Sequence, residues 1–488
     1  MFVSFYFLLL LGSTILAFFL LLVKWRPGIL LVASYVFCAH IEPRALVVLL
    51  GVSLFAYIMA IYIEKIQKLG NREKCKRVTV LSVCGLVLFL CMFKYAGYFL
   101  TRIGIVDRLP KNVLTNLVMP VGLSFYMFQA IGYLVDVYKR KSPAEKNFWY
   151  LGCYLAFFPK LVSGPIERED DFFPQIKRLG EVRFLNRGRL SAAFTYMLWG
   201  YFMKMVVADR IGGIIGPLFD QPGNFDSLWL FLGAVLYSIQ IYCDFAGYSY
   251  IAVGCAKIFG IEMKENFRAP YMAVDIQDFW RRWHVSLSEW LRDYVYIPLG
   301  GNRKGIIRKN LNTMVVFLVC GMWHGAGMNF LAWGLLHGIY SVVGSLIRER
   351  NKNVAEGHAG KKKTGLRRIA TFFLVTFAWI FFRSGSLRSA LLYIYQMATA
   401  GFWPERWAQA AESLNLNGME FGIVGIGMMC MGLVDRLCVQ EKMHLPMIIQ
   451  QKTNGIRYLV FYLLLITIFI FGIYGAGYYT EQFIYMQF

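Results

Sequence analysis

The feature that most constrains this chain is a succession of apolar runs, many of bilayer-crossing length and several short enough for half-helices or in-plane segments, separated by short basic clusters. A helix needs about 20 apolar residues to cross the hydrocarbon layer. Runs that meet or approach this length are residues 1–23, 28–40, 45–63, 78–103, 117–138, 190–207, 228–258, 311–321, 331–346, 369–382, 421–434 and 458–478. Hydrophobic residues make up 58% of the chain and charged residues 16%, whereas soluble domains are about one-quarter charged. Soluble, disordered, collagen-like and disulfide-stapled classes are excluded together. The expected fold is all-α and polytopic, with about 10–12 transmembrane helices plus re-entrant or interfacial helices.

Lys and Arg total 51 against 29 Asp and Glu, a formal charge of +22. That excess does not point to nucleic acid, because it lies in clusters between the apolar runs, at residues 65–77, 139–146, 303–309 and 348–368. Such clusters mark cytoplasmic loops held against anionic lipid. With these loops inside the cell, the N-terminus is expected outside. Twelve crossings return the C-terminus outside as well. Residues 1–23 lack a basic leader and a small-residue cleavage site, and read as a first spanning helix rather than a signal peptide. The ten cysteines form no C-x-x-C pair, so no metal site or redox motif is expected.

Two stretches do not behave as spans. Residues 148–162 are apolar but carry Pro159 and Lys160, then Gly164 and Pro165, then the acidic Glu167, Glu169, Asp170 and Asp171. This predicts a short helix that dips into the bilayer and turns back, or one lying in its surface. Residues 275–303 read DIQDFWRRWHVSLSEWLRDYVYIPLGGNR. On one continuous helix, Trp280, Trp283, Leu287, Trp290 and Leu291 form an apolar stripe. The same stretch carries Asp275, Asp278, Arg281, Arg282, His284, Glu289, Arg292 and Asp293. A charge at bilayer centre costs about 2.5–3.5 kcal/mol, so facing them all to lipid costs about 20 kcal/mol or more. The segment therefore lies amphipathically at the interface, or packs into the protein and lines an aqueous cavity.

Residues 321–338, GMWHGAGMNFLAWGLLHG, favour the second alternative. His324 sits there in apolar sequence beside Gly321, Gly325 and Gly327, which permit close approach of another backbone or a ligand. An ionisable residue inside the membrane is a functional-site candidate. An imidazole takes a proton from a hydroxyl and returns it near neutral pH, and a thioester is already activated for acyl transfer.

Several segments together resemble the membrane-bound O-acyltransferase (MBOAT) family, in its bacterial alginate O-acetyltransferase branch. They are MPVGLSFYMFQ at 119–129, YLVDVY at 133–138, FFPKLVSGPI at 157–166, YCDFAGYS at 242–249, ENFRAPY at 265–271, FWRRWHVSLS at 279–288 and WLRDYVYIPLGGNR at 290–303. The tail FIYMQF at 483–488 is similar to that branch's aromatic tail. This chain departs from the pattern at Ala246, Tyr250 and Met486.

The resemblance implies one integral membrane domain over residues 1–488. Its parts are peripheral helices at 1–110, a catalytic core at 117–346, the basic cytoplasmic loop at 348–368 and C-terminal helices at 369–488. It implies a ring of tilted helices around a thinned core crossed by a tunnel. The family's invariant histidine falls on His324, expected as general base toward the acceptor hydroxyl, and its second histidine on His284. The latter is expected to orient the first, bind the thioester carbonyl or hold the tunnel open. Arg281, Arg282 and Arg303 are candidates for the donor's phosphates, with Trp283, Trp323 and Asp244 as further substrate-binding candidates. Asp244 lies in a span and is expected to pair with a buried cation or donor.

No bound cofactor is expected, since acetyl-coenzyme A or a carrier-protein thioester is a substrate. Implied partners are membrane lipid, that acyl donor, an exported SGNH-type acetyltransferase and a cell-envelope polysaccharide, with the chain in the bacterial inner membrane. The rival activities are D-alanyl transfer to teichoic acid and, in another class, transport of a polar lipid. His337 lies 13 positions beyond His324, about 220° around a continuous helix, and is expected to face away from it. His40 is expected at an interface, and His358 and His444 in loops.

Overall fold

The computed structural model describes residues 2–104, 119–351, 361–414 and 418–474. Every regular element among them is helical. Seven helices are long and apolar enough to cross a membrane: Pro43–Lys68, Arg72–Arg102, Ser227–Ile258, Met328–Arg350, Thr364–Arg383, Gly418–Glu441 and Asn454–Phe471. This is a multi-pass, all-α membrane protein.

The other expected spans are shorter or interrupted. Phe5–Leu20, Arg26–Ile41 and Leu123–Tyr138 have 16 residues each. At 1.5 Å per residue that is about 24 Å, against about 30 Å of hydrocarbon. The run at 190–207 passes from the α-helix Arg187–Tyr201 into a π-helical stretch, Phe202–Ala208, and on into Asp209–Asp220. The run at 311–321 is the apolar end of Gly305–His324, whose first half carries Arg308 and Lys309. Residues 352–360 of the basic insert and the aromatic tail at 483–488 lie outside the described residues.

The chain forms two compact units, Met1–Met197 with Ile251–Lys264, and Leu198–Tyr250 with Glu265–Phe488. In the first, Leu123–Tyr138 is the central helix. Its Tyr126, Met127, Tyr133 and Leu134 are fully buried, and Pro43–Lys68 and Arg72–Arg102 pack against it. Phe148–Ala156 stops after nine residues, about 14 Å, and turns through Phe157 and Pro159. It is too short to cross a bilayer. The turn buries Lys160, which donates to Gln129 Oε1 and to the Tyr154 carbonyl.

The second unit is built around an antiparallel hairpin of Gly305–His324 and Met328–Asn351, with Lys361–Arg383 packed against the latter. Gly321 and Gly334 let the hairpin close. A Cβ on Gly321 would stand 2.5 Å from the Phe330 carbonyl oxygen, and one on Gly334 would overlap the Phe317 carbonyl. Asn329 ties the hairpin to the neighbouring helix by donating to the Ser384 carbonyl at 2.9 Å. Farther along, Asn454–Phe471 leaves Leu459, Leu463, Ile466 and Ile470 each more than half exposed. An apolar outer face of this kind is what a lipid solvent requires, since acyl chains give no reason to hide it.

Candidate functional site

The site grows from the hairpin's bend. Gly305–His324 ends because Gly325 leaves the helical path, and Met328–Asn351 begins three residues later. His324 is thereby the last helical residue, 3% exposed. Its ring lies 4.8 Å from that of Trp323, 5.0 Å from Trp333 and 5.0 Å from Phe382.

The bend also overturns one expectation. His337 does not face away from this centre, because the chain reverses between the two histidines and the 220° arithmetic assumed one unbroken helix. The His337 ring lies 5.0 Å from Trp333, as does that of His324. His337 is fully buried and accepts a hydrogen bond from Trp280 Nε1 through Nδ1, at 3.2 Å.

Nor is residues 275–303 one amphipathic helix. Ile276–Trp280 and Val285–Leu291 are separate short helices, broken at His284, and a π-helical turn follows at Arg292–Tyr296. His284 has φ +43°, left-handed backbone that a non-glycine residue adopts at a cost of about 1–3 kcal/mol. Periodicity cannot reveal such a break. The apolar residues still face inward: Trp283, Leu287, Trp290 and Leu291 are buried, with Trp280 half-buried. Of the two alternatives for this segment, packing into the protein is the one observed.

The break turns the His284 side chain fully inward, 4.8 Å from Phe245 and 6.1 Å from Trp323. Burial pushes its imidazole down to about 3, so the ring is neutral at physiological pH. Trp323 thus borders both His284 and His324, and Trp333 borders both His324 and His337. Trp283 joins the same aromatic set through Trp379, at 5.0 Å.

Asn266 holds the strained turn. Its Oδ1 accepts from Ser286 N at 3.2 Å and Ser286 Oγ at 2.6 Å, and its carbonyl accepts from Val285 N at 3.0 Å. Asn266→Ala strands the Ser286 donors in a buried site and is expected to cost about 1–3 kcal/mol of stability. With His284 loosened, the initial rate should fall about tenfold. Thermal unfolding in detergent beside initial-rate assays checks both, and unchanged stability would show that Asn266 does not hold the turn.

Asp244 meets its expected cation. Its Oδ1 lies 2.6 Å from Lys204 Nζ, which also lies 2.6 Å from Asp209 Oδ1, all three residues being buried. Lys204 stands in the π-helical stretch, and a Cβ on Gly247 would meet the Gly200 carbonyl at 2.8 Å, so these two helices touch backbone to backbone.

Arg281 and Arg282 line a cavity of about 300 Å³ together with Arg268, Lys442, Asp278 and Asp435. Arg282 is engaged by Asp278 at 2.8 Å, whereas no carboxylate pairs with Arg268, Arg281 or Lys442 among the described residues. Arg303 lies on the exposed turn after Gly300 and Gly301 and is absent from that lining. His444 begins the helix Leu445–Gln450 and pairs with Glu265. His40 stacks on Tyr6, and His358 lies outside the described residues.

Residues 138–384 match the membrane-bound O-acyltransferase family. The chain belongs to that family. It is 33% identical over 407 residues to the probable alginate O-acetylase AlgI of Pseudomonas aeruginosa, an alignment covering 82% of this chain and 74% of that one. It is 33% identical over 387 residues to the peptidoglycan O-acetyltransferase of Helicobacter pylori, covering 74% of this chain and 72% of the relative. The teichoic acid D-alanyltransferase of Streptococcus thermophilus is 31% identical over 266 residues, 51% of this chain and 61% of its own length. As a member of the MBOAT family, this chain is an O-acyltransferase, which sets the transporter alternative aside.

Proposed function

We infer that this chain takes an acetyl group from a cytoplasmic thioester and passes it across the bacterial inner membrane for O-acetylation of an extracellular polysaccharide. The donor is acetyl-coenzyme A or a carrier-protein thioester, and delivery is direct or through an exported SGNH-type acetyltransferase. The observation that carries the chemistry is the placement of His324, at the bend of a glycine-closed hairpin, buried between two tryptophans. Acetyl is favoured over D-alanyl because the relatives named for O-acetylation align with about three-quarters of this chain, and the D-alanyltransferase with about half.

In this reading His324 accepts the proton of the acceptor hydroxyl as its oxygen attacks the thioester carbonyl. A carbon–oxygen bond forms and the carbonyl electron pair moves onto oxygen. When that pair returns, the carbon–sulfur bond breaks, and the departing thiolate takes the proton from the imidazolium. Ester and thiol are the products. His284, neutral and fixed by its turn, orients the neighbouring ring or the carbonyl. Arg268, Arg281 and Lys442, cations without carboxylate partners among the described residues, attract the donor's phosphates, with Arg282 beside them.

Membrane vesicles carrying the full chain and its envelope partners, supplied with radiolabelled acetyl-coenzyme A, test this. Label is expected as an alkali-labile ester on polysaccharide or on the exported partner. Label arriving only from a D-alanyl carrier thioester would overturn the acetyl assignment in favour of D-alanylation.

A further inference from the structure

The transfer scheme names a base, and for the carbonyl only an orienting role for His284, and leaves the charge that develops on the carbonyl oxygen without a dedicated donor. Two buried donors around Trp333, the ring against which His324 packs, suit that task. Trp280 Nε1 donates to His337 Nδ1, so the lone pair at Nδ1 is engaged and the proton of the neutral ring sits on Nε2. His337 Nε2 has no acceptor among the described residues, and neither does Nε1 of Trp333. Both side chains are 0% exposed, and their rings are 5.0 Å apart.

Buried N–H groups nearly always find an acceptor. Trp379 Nε1, on a ring 5.7 Å from Trp333, is a third such donor, and the pair on the adjacent rings of His337 and Trp333 suits a ligand oxygen that bonds to both. The His324 ring lies 5.0 Å from that same Trp333 ring, so the His324 and His337 rings are at most about 10 Å apart. Trp333 is thus the ring shared by His324 and His337, and its N–H belongs to the wall that borders both.

We propose that His337 and Trp333 are the electrophilic half of this active site, their N–H groups binding the thioester carbonyl oxygen and the oxyanion formed from it. Trp280 is a positioning residue that selects the His337 tautomer. The assignment rests on the acyl-transfer reading and adds a role that reading leaves open. As the acceptor oxygen bonds to the carbonyl carbon, the electron pair displaced onto oxygen is held by the two N–H donors, while the hydroxyl proton goes to His324. Expulsion of the thiolate returns the pair.

The experiment compares initial rates of the full-length chain in vesicles with acetyl-coenzyme A, for wild type and His337→Phe, His337→Gln and Trp280→Phe. Phenylalanine keeps a ring but has no donor, whereas the glutamine amide nitrogen reaches near the position of Nε2. His337→Phe is expected to lower kcat about 100-fold with KM for the donor unchanged, because the lost bond strengthens in the transition state. His337→Gln should recover at least tenfold of that loss, and Trp280→Phe should cost about tenfold. Thermal midpoints are expected to stay within a few degrees. Retention of kcat within threefold by His337→Phe overturns the proposal. So does an equal loss in the Phe and Gln variants accompanied by a fallen midpoint, since that marks a packing role. Wild-type vesicles that form no ester from acetyl-coenzyme A or from an acetyl carrier-protein thioester overturn the acetyl-transfer reading itself, a result separable from either.

Discussion

His324→Ala is expected to slow acyl transfer by about 10²- to 10⁴-fold, the range in which a general base contributes. Alanine alone does not settle the role, because the imidazole is packed among Trp323, Trp333 and Phe382 and its removal leaves a hole. His324→Phe keeps a ring in the aromatic cage and removes only the proton acceptor. Both variants should be equally slow, and the Phe variant should unfold within a few degrees of wild type. The measurement pairs initial rates in vesicles with thermal unfolding in detergent. Activity of His324→Phe within tenfold of wild type would move the base elsewhere, with His284 and His337 the remaining imidazoles of the cluster.

The three histidines share one construction, each separated from the next by a tryptophan. Trp323 stands beside His284 and His324, and Trp333 beside His324 and His337. Tryptophan gives a large rigid wall while keeping an N–H for hydrogen bonding, so such a centre excludes water and still offers polar atoms at chosen points. In the proposed reaction exclusion of water matters, because a thioester held beside a base would otherwise be open to hydrolysis.

Much of this was legible in the sequence. Apolar runs and basic clusters give an all-helical membrane protein, and a histidine flanked by glycines in apolar sequence marks the bend where His324 sits. What escapes such reading is any departure from a regular helix. The left-handed turn at His284 splits an apparently continuous amphipathic helix, and the partners that hold it, Asn266 and Arg268, lie about 15–20 residues earlier. Chain reversal at residues 325–327 brings His337 back to the Trp333 ring that His324 also meets. The sign was present in the same glycines, since a Gly325-Ala-Gly327 interruption breaks helical phase and voids any angle computed across it. Lys204 was hidden differently. The apolar run 190–207 reads straight across this one lysine, and nothing local shows that two aspartates meet it.

That lysine carries the second large effect. Lys204→Met leaves Asp209 and Asp244 buried near one site with their shared cation gone. Breaking a buried ion pair from one side costs about 3–5 kcal/mol, a large part of the 5–15 kcal/mol that holds a typical protein folded. The variant is therefore expected to unfold at much lower temperature and to accumulate poorly in membranes. Replacing both carboxylates as well, in Lys204→Met/Asp209→Asn/Asp244→Asn, removes the two negative charges along with the cation and should recover most of the loss, because a buried ion pair often contributes little over a neutral substitute. Thermal midpoints of the single and triple variants decide this, and a single-variant loss below about 1 kcal/mol would show that other donors already satisfy the aspartates. The triple variant also separates structure from chemistry. Asp244 precedes Phe245, whose ring packs 4.8 Å from His284, so the triad stands behind one wall of the candidate site. A folded triple variant that keeps its transfer rate confines these charges to holding that wall. One that folds yet transfers no acetyl would give Asp244 a part in the reaction itself.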